Sequence, residues 1–242
     1  MMEPYSVIAK VYDLFLDDFN YLRLSEYIKK TLKVYNLKGT VVDAGCGTGT
    51  MLRLLQDISN DSIGIDISAQ MLSFARRKNL KSFLVMQDIT KLELASSVSL
   101  IYSSLDVINH LSTIREVDKF FRRVSLFLEG GGVFIFDFNL PYKHNSILAN
   151  NCFTYEKHKY LLIWNSYLHK DRVNICLDLF TQADNGLYMR ESEQFSEYTY
   201  YLNDILKLLD EEFEILEVID GDKYTPLSER SERALVSVKK KV

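Results

Sequence analysis

A β-branched strand that runs directly into three alternating glycines limits this chain to few architectures. Residues 41–50 read VVDAGCGTGT, with glycines at positions 45, 47 and 49, and a helix-like apolar stretch begins at Met51. Glycine permits positive φ angles and lets a ligand approach the backbone closely. A strand, a glycine turn and a helix start in this order predict a site where a ligand contacts backbone N–H groups at a helix N-terminus.

Strands and helices alternate from residue 40 to residue 138, a pattern that predicts a parallel sheet with crossover helices. Five strands are predicted in this region: 40–44, 62–67, 82–86, 98–102 and 133–138. The predicted helices are 5–15, 21–35, 50–56, one that Ser68 caps, and 113–128 with glycines 130–132 stopping it. We therefore expect an α/β fold with a Rossmann-like, doubly wound and mostly parallel sheet.

The pattern changes after Tyr142, where aromatic-rich strands follow one another without intervening helices. These strands are predicted at 153–155, 160–169, 172–182 and 188–196, and Asp184-Asn185-Gly186 is a hairpin signal. A helix at 202–210 and strands at 213–219 and 234–238 then add an antiparallel edge to the main sheet. The predicted organisation is one domain formed by residues 1–142 and 202–242, with an antiparallel β insertion or lid at residues 143–201.

Composition and charge exclude several classes of protein. The 242 residues carry a net charge of −4, which disfavours a nucleic-acid partner. The three cysteines are far apart, match neither a disulfide framework nor a metal site, and indicate a reducing, cytoplasmic compartment. The first residues have no signal-peptide pattern, and no window of about 20 residues is apolar enough to span a membrane. We expect a protein with no membrane partner, as a monomer or homodimer.

Polar side chains follow four neighbouring strands of the predicted sheet, at the edge where ligands bind in folds of this kind. In strand order they are Asp43 with the glycine turn, Asp66, Asp88, and the group Ser103, Ser104 and Asp106. The carboxylate of Asp66 suits two ribose hydroxyls, and Asp88 can accept a hydrogen bond from an adenine amino group. Ile67 and Met71 are placed to pack on the adenine ring.

A nicotinamide dinucleotide site is the nearest alternative, and the glycine spacing argues against it. Its fingerprint is G-x-G-x-x-G, whereas here the third glycine comes one residue early and Thr50 takes the sixth position. Asp43 would also repel a pyrophosphate, but it suits an ammonium group. A nucleoside joined to an amino acid meets these conditions, so the residues point to S-adenosylmethionine, with S-adenosylhomocysteine as the product.

Residues 41–50 resemble motif I of the class I S-adenosylmethionine-dependent methyltransferases. The segments GIDISAQML (64–72) and QDITKL (87–92) resemble the second and third motifs of that family. The similarity is greatest to the bacterial small-molecule type with an insertion after strand 5, on the residues Tyr5, Ala9, Tyr12-Asp13 and Phe136-Asp137-Phe138. Leu24 departs from that group, in which Trp is frequent at the matching position.

The resemblance implies roles for individual residues. The positions matching Asp43 and the glycine turn serve the methionine moiety, the one matching Asp66 the ribose, and the one matching Asp88 the adenine. Together with the strand-end analysis, this predicts a set of cofactor-binding residues: Tyr12, Asp43, Gly45, Cys46, Gly47, Gly49, Asp66, Ile67, Met71, Asp88, Ile89 and Ser103. No metal is expected.

The sequence assigns no catalytic residue, because methyl transfer depends mainly on positioning the reactants. His110 follows strand 4 and is placed to act as a general base, or to cap the next helix or pack on it. Tyr5, Tyr12 and Tyr142 are candidates for an aromatic wall around the sulfonium. We expect methyl transfer to a nitrogen or oxygen of a small or medium-sized acceptor. The alternatives are an RNA or protein methyltransferase, or a non-catalytic module that binds S-adenosylmethionine.

Overall fold

The computed structural model describes residues 5–16, 19–58, 61–78 and 80–242, which form two β-sheets with flanking helices. The helices are α1 Tyr12–Phe15, α2 Tyr21–Val34, α3 Thr50–Leu55, α4 Ala69–Arg77, α5 Ile114–Phe127 and α6 Leu202–Lys207. The strands are β1 Val41–Ala44, β2 Ser62–Asp66, β3 Phe83–Met86, β4 Val98–Ser103, β5 Leu128–Asn139, β6 Asn151–Lys157, β7 Tyr160–His169, β8 Arg172–Gln182, β9 Tyr188–Tyr198, β10 Phe213–Asp220 and β11 Arg233–Lys240. The predicted α/β class is confirmed.

The main sheet has seven strands in the order β3-β2-β1-β4-β5-β11-β10. Strands β1 to β5 are parallel, whereas β11 runs antiparallel to β5 and β10 antiparallel to β11. The strand order reverses between β1 and β4, so the turns after these two strands diverge at the carboxyl edge of the sheet. In open α/β sheets ligands bind in the crevice at such a reversal.

Both faces of the main sheet are covered, which explains the continuous apolar runs of its central strands. Helix α5 buries Val117, Phe120, Phe121 and Val124, spaced as one face of a helix, and its N-terminus is capped by Thr113, whose hydroxyl accepts from the Glu116 N–H at 3.2 Å. Helix α2 covers the opposite face with apolar residues that include Leu24 and Ile28. Each fully buried Phe or Leu of these faces contributes about 1.5–3 kcal/mol.

The second sheet is antiparallel, in the order β6-β7-β8-β9, and lies within residues 143–201. One of its faces buries Val173 and Ile175 against Val7, Ile8 and Val11 of the N-terminal segment. The N-terminal segment is thus tied to the insertion, although about 160 residues separate them in sequence.

Two predicted elements differ from the structure. The predicted helix at 5–15 is wrong as a continuous helix, because a 3₁₀ turn at Ile8–Lys10 and α1 are separated by Val11, whose φ is −124°. Its β-branched residues have modest helix propensity, and their packing on the second sheet sets the backbone. Glycines 130–132 lie inside β5, which begins at Leu128, and do not follow the helix as a stop signal. A Cβ at Gly132 would lie 2.9 Å from the carbonyl oxygen of Ser99 in β4, so the close approach of β5 to β4 at this position requires glycine.

In the described parts of the chain, no helix has the length and apolar character needed to cross a bilayer.

Candidate active site

A cavity of about 970 Å³ is lined by the turns at the carboxyl edge of the main sheet and by strand β9 of the second sheet. We call the wall formed by the turns after β1, β2, β3 and β4 the cofactor side. We call the wall formed by Tyr5, His110 and residues 192–196 of β9 the acceptor side. The volume lies within the range of sites that enclose small molecules and cofactors.

The glycine turn has the geometry that its sequence predicts. Gly45, Gly47 and Gly49 have φ values of 94°, 52° and 76°. A Cβ at Gly45 would lie 2.5 Å from Cγ2 of Val107, and one at Gly49 would lie 2.7 Å from Cδ1 of Leu80. A Cβ at Gly47, by contrast, would meet no described atom within 4 Å, although Gly47 lines the cavity. Packing therefore requires two of the glycines, and the middle one leaves open space at the cavity wall.

Asp66 ties this turn to the end of β2. Its Oδ2 accepts from the Gly47 N–H at 2.7 Å, and its Oδ1 accepts from the Ser68 N–H at 2.8 Å. Burial raises the pKa of Asp66, and the two backbone hydrogen bonds act in the opposite direction. Each carboxylate oxygen can accept two hydrogen bonds, so Asp66 retains acceptor capacity for a ligand.

Asp43 is buried at the cavity wall with one carboxyl oxygen unused. The Tyr102 hydroxyl donates to its Oδ2 at 2.9 Å, but its Oδ1 has no hydrogen-bond partner among the described residues. Burial raises the pKa of Asp43 to about 8; the Tyr102 hydrogen bond opposes this shift and the charge of Asp66 adds to it. Because a buried polar group without a partner is costly, this oxygen indicates a donor supplied by a ligand.

The residues predicted to hold adenine lie together on the cofactor side. Ile67, Met71, Asp88 and Ile89 all line the cavity. Asp88 also caps the 3₁₀ turn at Ile89–Lys91, since its Oδ1 accepts from the Thr90 N–H at 2.9 Å and from the Thr90 hydroxyl at 2.8 Å. Asp88 therefore caps this turn and also lies where it can contact a ligand in the cavity.

Two predicted site residues do not line the cavity in the described part of the chain. Ser103 is fully buried, and its hydroxyl donates to the Ala44 carbonyl at 2.7 Å. Strand β4 continues through Ser103, so the following Ser104 and Leu105 line the cavity instead. Gly49 is the other exception, and it serves the turn itself as the residue before α3. The remaining ten predicted residues line the cavity; their roles toward a cofactor stay predictions.

An aromatic cluster of Tyr5, Tyr12, His110 and Phe195 lines the cavity at its acceptor side. The Tyr5 hydroxyl lies 2.8 Å from Nε2 of His110, and the Tyr5 ring stacks on Phe195 with centroids 5.1 Å apart. Burial raises the pKa of Tyr5 well above its ordinary value, so Tyr5 is a neutral phenol. His110 faces the cavity, and Thr113 caps the next helix, so the capping interpretation of His110 is wrong. Tyr142 does not line the cavity.

The turn after β4 is strained and clamped. Leu105 and Asp106 have φ values of 62° and 55°, which cost about 1–3 kcal/mol each in non-glycine residues. The carboxylate of Asp137 accepts from the N–H groups of Leu105 at 3.0 Å and Asp106 at 2.7 Å. The Arg233 guanidinium donates to Asp137 and to Asp106, both at 2.8 Å. Sequence inspection noted Asp137 as a family feature but did not find this clamp, which holds the turn leading to His110.

Asp106, His110 and Glu197 also bring three potential metal-ligand atoms within 4.8 Å of one another. All three residues already have partners. Arg233 pairs with Asp106, the Tyr5 hydroxyl lies 2.8 Å from Nε2 of His110, and the Asn139 side-chain amide donates to Glu197 at 3.0 Å. Although burial acts in the opposite direction, Arg233 lowers the pKa of Asp106 to about 2. Because these side chains are already engaged by other residues, the cluster carries no argument for a metal.

Comparison with known proteins adds a family assignment to this geometry. A family model described as a methyltransferase domain matches residues 42–136. The crystal structure of an S-adenosylmethionine-dependent methyltransferase from Clostridium acetobutylicum ATCC 824 shares 31% identity with a TM-score of 0.89, covering 99% of this chain and 100% of that one.

Two relatives known from sequence are also similar. A candidate methyltransferase from Geobacillus sp. (strain WCH70) is 29% identical over 98% of this chain and 99% of its own length. The dTDP-3-amino-3,6-dideoxy-alpha-D-glucopyranose N,N-dimethyltransferase of Streptomyces fradiae is 31% identical, over 40% of this chain and 38% of its own length.

Proposed function

Since the chain belongs to the class I S-adenosylmethionine-dependent methyltransferases, we propose that it methylates a nitrogen or oxygen of a small or medium-sized acceptor. The chain is an enzyme, and S-adenosylmethionine is its cofactor. One observation carries the acceptor proposal: the glycine turn and the aromatic cluster face the same cavity of about 970 Å³. A cavity of this size accommodates a cofactor and a small acceptor side by side.

The residues of the cofactor side fit S-adenosylmethionine. The open space beside Gly47 leaves room for the methionine moiety, and the unpaired Oδ1 of Asp43 can accept from its ammonium group. Asp66 retains acceptor capacity for the ribose hydroxyls, and Met71 and Asp88 offer an apolar and a polar contact for adenine. When bound, the cofactor supplies a sulfonium methyl group, whose transfer to an acceptor lone pair leaves the C–S electron pair on sulfur.

The acceptor side supports positioning and proton removal. The stacked rings of Tyr5 and Phe195 form an apolar wall against which an acceptor can pack. His110 faces the cavity, and a neutral imidazole can take a proton from an acceptor near neutral pH. The hydrogen bond between His110 Nε2 and the Tyr5 hydroxyl fixes the orientation of the imidazole ring.

A methyl-transfer assay tests the proposal. Purified protein is incubated with isotope-labelled S-adenosylmethionine and with separate pools of small amines, small alcohols and phenols, RNA, and protein, and products are identified by mass spectrometry. We expect label in small acceptors only. Label in RNA or protein alone would assign the enzyme to a macromolecular acceptor. No label in any pool at stoichiometric enzyme would support a non-catalytic binding module.

The affinity for S-adenosylhomocysteine is expected to rise between pH 6 and pH 8, by up to about tenfold per pH unit. Burial raises the pKa of Asp43 to about 8, so the free protein holds this carboxyl protonated at pH 6, whereas an ammonium group beside it favours the ionised form. Binding then releases a proton.

The stability of the ligand-free protein should change with pH in the opposite sense. The pKa of Asp43 in the folded protein is about 8 and exceeds its value of 3.8 in the unfolded chain. The contribution of Asp43 to stability is therefore complete below pH 3.8 and is lost as the pH rises through about 8.

Titration calorimetry in buffers of different ionisation enthalpy measures both the affinity and the proton release. The Asp43→Asn variant is the control, since it cannot ionise and should bind with a weaker pH dependence. Equal pH slopes in the two proteins would contradict the placement of the ammonium group beside Asp43.

A further inference from the structure

The acceptor side carries one carboxylate, that of Glu193, close to the aromatic cluster. Glu193 and Phe195 are two residues apart on β9, so their side chains lie on the same face of the sheet. Phe195 contacts both Tyr5 and His110, with ring centroids 5.1 Å and 5.5 Å away. Both β9 residues line the cavity. Glu193 therefore lies at the end of the cavity where the acceptor is proposed to bind.

Glu193 has unused hydrogen-bonding capacity. The side chain is 4% exposed, and its Oε2 accepts from the Val7 N–H at 2.9 Å. Its Oε1 has no hydrogen-bond partner among the described residues. Burial raises the pKa of Glu193, and backbone hydrogen bonds from the N-terminal segment act in the opposite direction. A buried carboxylate with a free oxygen calls for a further donor, and a protonated amino group forms a strong, charge-assisted hydrogen bond with it.

The charges around the cavity favour the same class of ligand. The described residues that line the cavity include four carboxylates, at positions 43, 66, 88 and 193, and no lysine or arginine. Three of these carboxylates lie on the cofactor side, and Glu193 lies on the acceptor side. A lining without lysine or arginine offers no counter-ion to a phosphate group, whereas a carboxylate attracts a cation. The Streptomyces fradiae relative is named for a dTDP-linked amino sugar, but its similarity covers 40% of this chain.

We propose that Glu193 accepts a hydrogen bond from the amino group of the acceptor, and that the acceptor is a small primary or secondary amine without phosphate or diphosphate groups. This inference rests on the proposed function, since it names the acceptor class for the same cavity. Glu193 binds and orients the amine in its protonated form. His110 takes one proton from it, and the nitrogen lone pair so formed bonds to the methyl group while the C–S electron pair stays on sulfur.

Matched acceptors and matched variants test the inference. The acceptors are an amino sugar, its dTDP-linked form, and the corresponding sugar with a hydroxyl in place of the amine. We expect the wild type to methylate the free amine with kcat/KM at least about 100-fold above that for the dTDP-linked form. Glu193→Gln should lower kcat/KM for the amine about tenfold or more, mainly through KM. Glu191→Gln, on the same face of β9 but paired with Lys10 outside the cavity, should leave it unchanged.

Binding of S-adenosylhomocysteine by calorimetry separates recognition from folding. Glu193→Gln and Glu191→Gln should both retain S-adenosylhomocysteine binding. Glu193→Asp is a second variant at this position; it keeps the charge but should lose affinity for the amine because its side chain is shorter. Methylation of the dTDP-linked or hydroxyl acceptor in preference to the amine would overturn the inference and leave the proposed function intact. Loss of cofactor binding in both Glu193 variants would assign Glu193 to the anchoring of Val7 and also overturn it. No transfer to any acceptor, with S-adenosylhomocysteine still bound, would overturn both proposals.

Discussion

Replacing Arg233 with methionine is expected to lower the free energy of unfolding by about 3–5 kcal/mol. Arg233 is 5% exposed, and its guanidinium donates to the carboxylates of Asp106 and Asp137, each at 2.8 Å. Removing the cation leaves the buried carboxylate of Asp137 and the mostly buried carboxylate of Asp106 without their counter-ion. Breaking a buried ion pair on one side costs this much. The positive-φ turn at Leu105 and Asp106 loses part of its support in the same step.

Urea denaturation followed by circular dichroism measures the effect on the unfolding free energy. The matched control is Arg122→Met, because Arg122 is exposed on α5 and pairs with Asp118 one helical turn away. This control should leave the stability nearly unchanged, as exposed pairs contribute little. The double variant Arg233→Met with Asp137→Asn should recover part of the loss, because it removes one of the stranded charges. Equal losses for the two arginine variants would contradict the clamp.

Asp66→Ala is expected to weaken binding of S-adenosylhomocysteine about tenfold or more, since hydrogen bonds to a charged group contribute about 1.5–3 kcal/mol. Two effects act in the same direction. The variant loses the proposed acceptor for the ribose hydroxyls, and it loses the hydrogen bonds that hold the N–H groups of Gly47 and Ser68. Titration calorimetry measures the sum of the two effects on the binding free energy. The control is Asp57→Ala, because Asp57 is exposed and lies outside the cavity.

A double-mutant cycle with a modified ligand separates the two effects of Asp66. In the wild type, the 2′,3′-dideoxy analogue of S-adenosylhomocysteine should bind about tenfold or more weakly than the parent compound. In Asp66→Ala the two ligands should bind with nearly equal affinity, because the partner of the hydroxyls is gone. If the analogue lost the same factor in both proteins, Asp66 would act only through the glycine turn, and the ribose role would be wrong.

Much of the main sheet was predictable from local sequence. Its strands match the predicted positions within a few residues, and Ser68 caps α4 as expected, with its hydroxyl accepting from the Met71 N–H at 3.3 Å. The antiparallel strands between residues 151 and 198 were also predicted, because alternating aromatic and polar residues separated by turn signals favour hairpins. The limits of the domains stay a prediction.

The cofactor side was predictable for a similar reason. A glycine turn, a strand-end acid and a helix start lie within 30 residues, so their relation is set by short chain segments and not by distant packing. Ten of the twelve predicted residues line the cavity, as the strand-end rule implies. Ser103 was predicted to line the cavity and does not, because β4 extends one residue further than predicted. In a strand, a shift of one residue turns a side chain to the other face.

The acceptor side could not be read from the sequence, because its members are distant along the chain. Tyr5 meets His110 across 105 positions, and Val7 meets Glu193 across 186. No local pattern specifies such contacts; the packing of β9 and the N-terminal segment on one another brings them together. The same holds for Arg233, which clamps the turn after β4 across 127 positions. Local propensity and periodicity account for the order of elements and the glycine turn, whereas long-range packing selects the residues that form the acceptor side of the cavity.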